Sequence, residues 1–231
     1  MDKKTNLMTS SNTDTINTVE VLQRRWLSDS AFEIELTRPP AFEFAPGQAI
    51  RLIHDSIDRY YSIISTPEDT TLTLCVYYVP RGILSPVLAQ TAVGDVFSLT
   101  GPHGYFTFTP SIRTPVFVAT GTGIAPFVSM GRSGLSEFIL FHEVQLATDF
   151  YYRELFRALA SSYTPCLAAP SSTEAPPPGI FHGRAADFIK DRLAPGVYDF
   201  YLCGYREMTS RVTLLVDDQF PGSNVFREVF Y

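Results

Sequence analysis

The hydrophobic pattern of the chain changes once, between residues 110 and 115, and this change constrains the fold more than any other feature. From about residue 18 to 110 the sequence consists of short apolar runs separated by turn residues, with almost no helical period. From "TPVFVAT" onward, short apolar runs alternate with segments of helical period. A chain of 231 residues is long enough for two modest domains. The sequence therefore predicts two domains of different fold class.

The first pattern predicts a small antiparallel β-barrel or sandwich. Turn signals recur at the spacing that such folds use, namely at "RPP", "APGQ", "TPED", "AVGD" and "GPHG". The segment "RGILSPVLAQT" is expected to add one short helix. We expect residues 1–17 to form a disordered tail and residues 18–111 to form this domain.

The second pattern predicts an open parallel sheet wrapped by helices over residues 112–231. The expected strands are "VFVAT", "EFILFHE", "TPCLAA" and "DFYLCG", and the expected helices cover 125–133, 149–160, 183–192 and 206–218. Because Gly131 and Gly134 interrupt the first of these helices, we expect it to be short.

Composition and charge narrow the classes of function. The apolar fraction of 45% is ample for packed cores, and the net charge of −6 without a basic run argues against nucleic-acid binding. The three cysteines and four histidines lack the spacings of zinc or iron–sulfur ligands, so no metal is expected. The odd number and wide separation of the cysteines predict a reduced, cytoplasmic setting. The N-terminus lacks the apolar stretch of a signal peptide and no 18 apolar residues run together, so no membrane span is expected.

A glycine-containing turn follows the first strand of the second domain. Gly121 and Gly123 in "VFVATGTGIAP" permit a tight turn from strand to helix and a close backbone approach. The free N–H groups and the dipole of the following helix would favour a phosphate, which indicates a dinucleotide site. Since the full G-x-G-x-x-G pattern is absent, an ordinary strand-to-helix turn is the alternative.

The segment "RYYSIIST" combines a cation, an aromatic ring and a hydroxyl in the first domain. On an extended backbone, Arg59 and Tyr61 share one face and Ser62 points the other way. This combination suits a long, flat, anionic ligand. The alternative is that Tyr61 belongs to the barrel core and Arg59 to a surface ion pair.

Taken in order, five segments resemble the ferredoxin–NADP⁺ reductase superfamily from about residue 18 to 231. They are "RYYS", "GILS", "GTGIAP", "YLCG" and the terminal "EVFY". The resemblance is closest to stand-alone bacterial ferredoxin/flavodoxin–NADP⁺ reductases, because no ferredoxin-type cysteine pattern or haem domain accompanies these segments. It implies an FAD-binding antiparallel β-barrel followed by an NAD(P)-binding α/β domain.

For FAD, the resemblance implies binding by Arg59, Tyr60, Tyr61, Ser62, Gly82, Ile83, Leu84, Ser85, Phe230 and Tyr231. Arg59 would clamp the pyrophosphate with its guanidinium fork, Tyr61 would stack on the flavin, and Ser62 would lie near flavin N5. Tyr231 would reach the adenine. A helix N-cap is the alternative role for Ser85.

For the nicotinamide nucleotide, the resemblance implies binding by Thr120, Gly121, Gly123, Tyr152, Ser171, Ser172, Cys203 and Gly204. The implied catalytic residues are Ser62, Cys203, Glu228 and Phe230. Cys203 would pack as a neutral thiol near nicotinamide C4, Glu228 would hold the nicotinamide and relay protons, and Phe230 would cover the flavin face. Cys75, Cys166 and Tyr151 are expected in the core.

The resemblance implies hydride transfer between NAD(P)H and FAD, and single-electron transfer to ferredoxin or flavodoxin by a monomeric enzyme. Relatives selective for NADPH present Ser–Arg–Glu where this chain has "LAAPSSTEA", so the missing arginine predicts weak discrimination between NADPH and NADH. Two alternatives keep the same motifs: the reductase component of an oxygenase and a free-flavin reductase. A non-catalytic flavin-binding sensor or assembly module is the rival from another class.

Overall fold

The protein structure, a computed structural model, describes residues 15–168 and 178–230. Its first domain is a six-stranded antiparallel sheet in the order β4-β3-β6-β1-β2-β5. The strands are β1 (Asn17–Ser28), β2 (Ala31–Thr37), β3 (Ala49–His54), β4 (Ile57–Ser62), β5 (Thr71–Tyr77) and β6 (Val96–His103). A bridge between Ile63 and Leu74 joins the chain after β4 to β5, which closes the sheet into a barrel.

Alternation along β2 explains how the barrel is covered on two sides. Phe32, Ile34 and Leu36 point into the barrel core, while Ala31 belongs to the core cluster of the second domain and Glu33, on the same face as Ala31, is also buried. Both faces of this strand are therefore buried, which fixes the barrel against its neighbour.

The second domain is a six-stranded parallel sheet in the order β10-β9-β8-β7-β11-β12. The strands are β7 (Thr114–Thr120), β8 (Ile139–Val144), β9 (Ser162–Leu167), β10 (Phe181–His182), β11 (Tyr198–Tyr205) and β12 (Asn224–Phe230). The helices are α2 (Ala125–Arg132), α3 (Arg153–Leu159), α4 (Ala185–Arg192) and α5 (Arg206–Gln219), and α1 (Ser85–Leu88) lies in the first domain. Along β7, Phe117 and Ala119 pack on one face of the sheet and Val116 and Val118 on the other.

Polar contacts also join the two domains. The Asp149 carboxylate accepts hydrogen bonds from the Ser28 and Ser30 hydroxyls, each at 2.7 Å. On the other side of the interface, the Ser129 hydroxyl donates to the Ser65 carbonyl oxygen at 2.7 Å. These bonds satisfy groups that burial would otherwise leave unpaired, so they hold the domains in one arrangement.

The predicted fold class is confirmed, and the differences are local. The segment Gly121–Ile124 forms a 3₁₀ helix that was not predicted, and α2 begins at Ala125, as expected, and ends at Arg132. The predicted helix at 149–160 is shortened to Arg153–Leu159 because Tyr152 has a φ of 57°. Strand β12 was not predicted. No helix in the described part of the chain is long and apolar enough to span a bilayer.

Candidate active site

A cavity of about 590 Å³ lies where the two domains meet. The barrel contributes the end of β4, the end of β5 and the loop into α1, and the α/β domain contributes the ends of β7, β11 and β12. Twelve of the predicted site residues line it: Arg59, Tyr60, Tyr61, Ser62, Gly82, Ile83, Leu84, Ser85, Thr120, Gly204, Glu228 and Phe230. The fold therefore brings motifs from across the chain to one place.

Arg59 is exposed at the cavity. Its Nη1 donates to the carbonyl oxygen of Asp58 at 2.6 Å, while the Asp58 carboxylate accepts two hydrogen bonds from Arg51 on β3, at 2.8 and 2.9 Å. Within residues 15–168 and 178–230, no carboxylate forms an ion pair with Arg59. The surface ion pair considered from the sequence thus belongs to Arg51, and Arg59 is available to an anion.

Tyr61 and Ser62 form the wall next to Arg59. Tyr61 is half-buried and packs against the barrel core, and burial raises the pKa of its phenol to about 12. The Ser62 hydroxyl has no hydrogen-bond partner among the described residues, although the residue is only 5% exposed. It can therefore bond a ligand in the cavity.

The loop into α1 is held by Ser85. The Ser85 hydroxyl accepts a hydrogen bond from the Val79 N–H at 3.0 Å, and the Gly82 N–H donates to the Val79 carbonyl at 2.8 Å. The N-cap of α1 is Leu84, so Ser85 is not the N-cap that the sequence offered as an alternative. Leu84 itself is buried in the barrel core, and Ile83 is 57% exposed.

Glycines let the end of β11 approach the turn after β7. A Cβ on Gly123 would overlap the Cys203 carbonyl, and a Cβ on Gly204 would overlap the Thr120 hydroxyl. Gly204 also has a φ of +127°, a conformation that other residues rarely adopt. The backbone of this wall is therefore fitted closely, with Thr120 Oγ1 accepting the Tyr205 N–H at 2.8 Å.

His142 supports the same turn but does not itself line the cavity. Its Nε2 lies 3.0 Å from the Gly121 carbonyl oxygen, and complete burial lowers the pKa of the ring to about 4. The neutral ring donates from Nε2, and no described residue bonds its Nδ1. Gly121, with a φ of 51°, does not itself line the cavity.

Glu228 carries the titratable carboxyl of the α/β wall. Burial raises its pKa to about 7, and its Oε2 is buried without a hydrogen-bond partner in the described part of the chain. Parallel pairing of β11 with β12 places Glu228 opposite Cys203 and Phe230 opposite Tyr205. The carboxyl can therefore exist in either protonation state near neutral pH.

Cys203 lies beneath the wall rather than on it. The side chain is fully buried, and burial followed by the nearby Glu228 raises the pKa of the thiol well above its usual value. The thiol is therefore neutral, as the sequence predicts, but neither it nor Gly123 lines the cavity.

Tyr152 is turned away from the cavity. Its left-handed backbone directs the ring between the domains, where the hydroxyl donates to Glu33 Oε1 at 2.9 Å and the Arg132 guanidinium lies 5.6 Å from the ring centroid. The structure thus gives Tyr152 a contact between domains instead of the adenosine contact that the sequence suggested. Ser171, Ser172 and Tyr231 lie outside the described residues.

Sequence reasoning missed several lining residues at strand ends. Cys75, expected to be inert in the core, is buried but reaches the cavity, and burial raises its pKa to about 12. Tyr77 ends β5 and Tyr205 ends β11, and both line the cavity. For Tyr205 the available signal was its position at the carboxyl end of a parallel strand, where ligands of α/β sheets bind, whereas Tyr77 ends a strand of the antiparallel barrel and had no such signal.

Two family models match the chain over its two domains. Residues 19–108 match the oxidoreductase FAD-binding domain, and residues 117–213 match the oxidoreductase NAD-binding domain. The fold and the cavity thus define a flavin- and nicotinamide-nucleotide-binding oxidoreductase.

Known proteins that resemble the chain fall into two groups. It is 30% identical over 223 residues to the toluate 1,2-dioxygenase electron transfer component of Pseudomonas putida, covering 89% of this chain and 65% of that protein. It is 28% identical over 227 residues to ferredoxin–NADP reductase A of Sorangium cellulosum, covering 85% and 81%. A solved ferredoxin NADP⁺ reductase from Neisseria gonorrhoeae with bound FAD and NADP shares the fold, with a TM-score of 0.81, 21% identity and coverage of 94% and 99%.

The chain belongs to the ferredoxin–NADP⁺ reductase superfamily. It spans less than two thirds of the length of several curated relatives, including 65% of the toluate component and 54% of the reductase subunit of an aromatic O-demethylase from Amycolatopsis.

Proposed function

We propose that the protein transfers hydride between NAD(P)H and bound FAD, and single electrons between FAD and ferredoxin or flavodoxin. The observation that carries this proposal is the shared cavity. It is lined on the barrel side by an arginine and a serine hydroxyl that have no side-chain partner among the described residues, and on the α/β side by a carboxyl of raised pKa. A merely structural cleft has no need of these groups.

The described residues fit FAD. Arg59 offers a guanidinium to the pyrophosphate, and the loop held by Ser85 adds backbone N–H groups at the same wall. Tyr61 offers a neutral ring for stacking, and the unbonded Ser62 hydroxyl lies at the end of the same strand. Bound FAD supplies the redox chemistry, because it exchanges a hydride with nicotinamide and electrons one at a time with protein carriers.

The protein contributes orientation and proton control. Glu228 holds or releases a proton near neutral pH beside the wall where nicotinamide is expected, and Cys203 supports that wall from below as a neutral thiol. Phe230 lines the cavity and packs against the α/β core, so it would shield one side of a bound ring from water.

Two arginines of the α/β domain already bond within the protein, whereas the Arg153 Nε has no hydrogen-bond partner among the described residues. Arg132 donates to the Ile64 carbonyl at 3.1 Å, and Arg184 pairs with Glu207 at 2.6 Å. Because "LAAPSSTEA" also lacks the arginine that NADPH-selective relatives present there, we propose that the protein uses both NADPH and NADH. Ser171 and Ser172, the expected hydroxyl donors for this group, lie outside the described residues.

A second candidate function differs from the first in the protein that accepts electrons from the flavin. The similarity to the toluate 1,2-dioxygenase electron transfer component covers 89% of the chain and favours a reductase component of an oxygenase.

Three buried free cysteines are compatible with a reducing cytoplasm, which we propose as the location.

Two measurements test these proposals. Anaerobic addition of NADH or NADPH should bleach the flavin absorbance of the FAD-loaded protein, and a flavin that stays oxidised would contradict the enzyme proposal. The reduced protein is then mixed with ferredoxin, flavodoxin and free flavin. Fast oxidation by ferredoxin or flavodoxin supports the main proposal, whereas oxidation by free flavin alone contradicts it.

A further inference from the structure

Two tyrosines from different domains approach each other at the cavity. Tyr77 is the last residue of β5 and Tyr205 is the last residue of β11, and both line the cavity. Their side chains are accessible, with the residues 42% and 52% exposed. Burial and then the neighbouring Tyr77 raise the pKa of Tyr205, so its phenol stays protonated at neutral pH.

The position of Tyr205 relates it to two parts of the proposed nucleotide site. Its N–H donates to Thr120 at the start of the glycine turn, and its strand position is opposite Phe230 on β12. The glycine turn is the expected pyrophosphate end of the site, and the wall of Glu228 and Phe230 is the expected nicotinamide end. In a dinucleotide, the group between pyrophosphate and nicotinamide is a ribose.

The chemistry of the wall also suits a ribose. Among the described residues that line the cavity, Arg59 on β4 is the sole lysine or arginine. Neutral phenols both donate and accept hydrogen bonds, which matches a neutral diol, whereas a phosphate is better held by a cation.

On the basis of the function proposed above, we propose that Tyr77 and Tyr205 form a tyrosine clamp that binds the nicotinamide ribose of NAD(P)H, with one phenol supplied by each domain. The clamp makes nucleotide affinity depend on both domains. It also makes these two positions determinants of how tightly the nicotinamide half is held.

The test compares Tyr77→Phe and Tyr205→Phe in the FAD-loaded protein by calorimetric titration with two non-reducing ligands. One is NAD⁺ or NADP⁺, whichever the wild type binds more tightly, and the other is ADP, which lacks the nicotinamide ribose. Each variant should weaken the full nucleotide about three- to tenfold, the effect of one hydrogen bond, without changing ADP affinity. Tyr198→Phe is the matched control, because Tyr198 lies at the opposite end of β11 with its hydroxyl on the Ala194 carbonyl at 2.8 Å.

Three results would overturn the clamp: unchanged affinity for the full nucleotide in both variants, an equal loss of ADP affinity, or a matching loss of FAD after purification. The last would assign the phenols to the flavin. Anaerobic reduction of the wild type keeps this test separate from the general proposal. If NAD(P)H reduces the wild type but the variants bind normally, the clamp alone is wrong, whereas a wild type that is not reduced contradicts the proposed function itself.

Discussion

The barrel wall and the α/β wall of the cavity offer a ligand different chemistry. The barrel wall presents side chains with unused bonding capacity, namely the Arg59 guanidinium and the Ser62 hydroxyl. The α/β wall is built from closely fitted backbone at Gly123 and Gly204, and its carboxyl, Glu228, is half-buried with a raised pKa. The two domains therefore contribute charge and shape separately.

This difference assigns different consequences to changes in each wall. Removing a charge from the barrel wall should lower affinity for an anionic cofactor, because the described α/β residues at the cavity offer no cation to replace it. Changing shape or protonation on the α/β wall should leave that cofactor bound and alter the steps that depend on nicotinamide. A barrel-wall substitution that altered only the nicotinamide-dependent steps, or an α/β-wall substitution that released the cofactor, would contradict this difference.

The largest effect is expected for Arg59→Ala on the barrel wall. Loss of a charge-assisted hydrogen bond of about 1.5–3 kcal/mol should weaken FAD roughly 10- to 150-fold. Flavin fluorescence titration of the apoprotein measures this. Arg157→Ala is the control, since Arg157 pairs with Glu154 on the surface at 2.7 Å and should not affect FAD. Equal FAD affinity in Arg59→Ala and wild type would show that the charge of Arg59 does not contribute to FAD binding.

The next effect is expected for Gly204→Ala on the α/β wall. The added Cβ would overlap the Thr120 hydroxyl at a positive φ, and such strain costs about 1–3 kcal/mol. The melting temperature and the rate of flavin reduction by NAD(P)H should both fall. Gly134→Ala is the matched control, because Gly134 has a φ of +99° but no atom within 4 Å of an added Cβ. Equal losses in both variants would show that backbone strain alone, without close approach, explains the effect.

Glu228→Gln tests protonation on the same wall. FAD should remain bound, while hydride transfer slows about tenfold, or about 1.4 kcal/mol, as stopped-flow reduction would measure. The Gln variant keeps the shape of the side chain, so a normal rate would mean that the carboxyl takes no part.

The pH dependence of stability provides a separate check on Glu228. Its pKa in the folded protein, about 7, lies above the ordinary value of 4.5, so the protonated form favours folding. This stabilisation is complete below pH 4.5 and is lost as the pH rises through 7. The melting temperature of wild type should therefore fall relative to Glu228→Gln between pH 5 and pH 8, and parallel curves would contradict the raised pKa.

The sequence predicted the fold because its two hydrophobic periods are nearly uninterrupted. Strand and helix segments followed alternation and turn residues, and the exceptions arose where backbone geometry was decided by tertiary contacts. Tyr152 adopts a left-handed conformation that shortens α3, which single-residue propensity does not indicate. The burial pattern of β12 is irregular, and its pairing with β11 is a long-range choice.

Lining residues that belong to short sequence motifs could be predicted, whereas lining residues at the ends of strands could not. "RYYS" and "GILS" are contiguous, so Arg59 to Ser62 and Gly82 to Ser85 could be named from the sequence. Tyr77 and Tyr205 reach the cavity because two strands from different domains end at the same point. That proximity depends on domain packing, which no local pattern encodes.

The smallest effect is expected for the choice of nucleotide. A 2′-phosphate carries charge, and Arg132 and Arg184 of the α/β domain already bond to the Ile64 carbonyl and to Glu207. We therefore expect kcat/KM for NADPH and NADH to differ by less than tenfold, about 1.4 kcal/mol. Glu207→Gln sharpens the measurement, because it removes the carboxylate that pairs with both Arg184 and Arg211. A rise in NADPH preference in that variant would show that positive charge released near Glu207 acts on the 2′-phosphate, whereas a wild-type preference above a hundredfold would show that the α/β wall supplies charge after all.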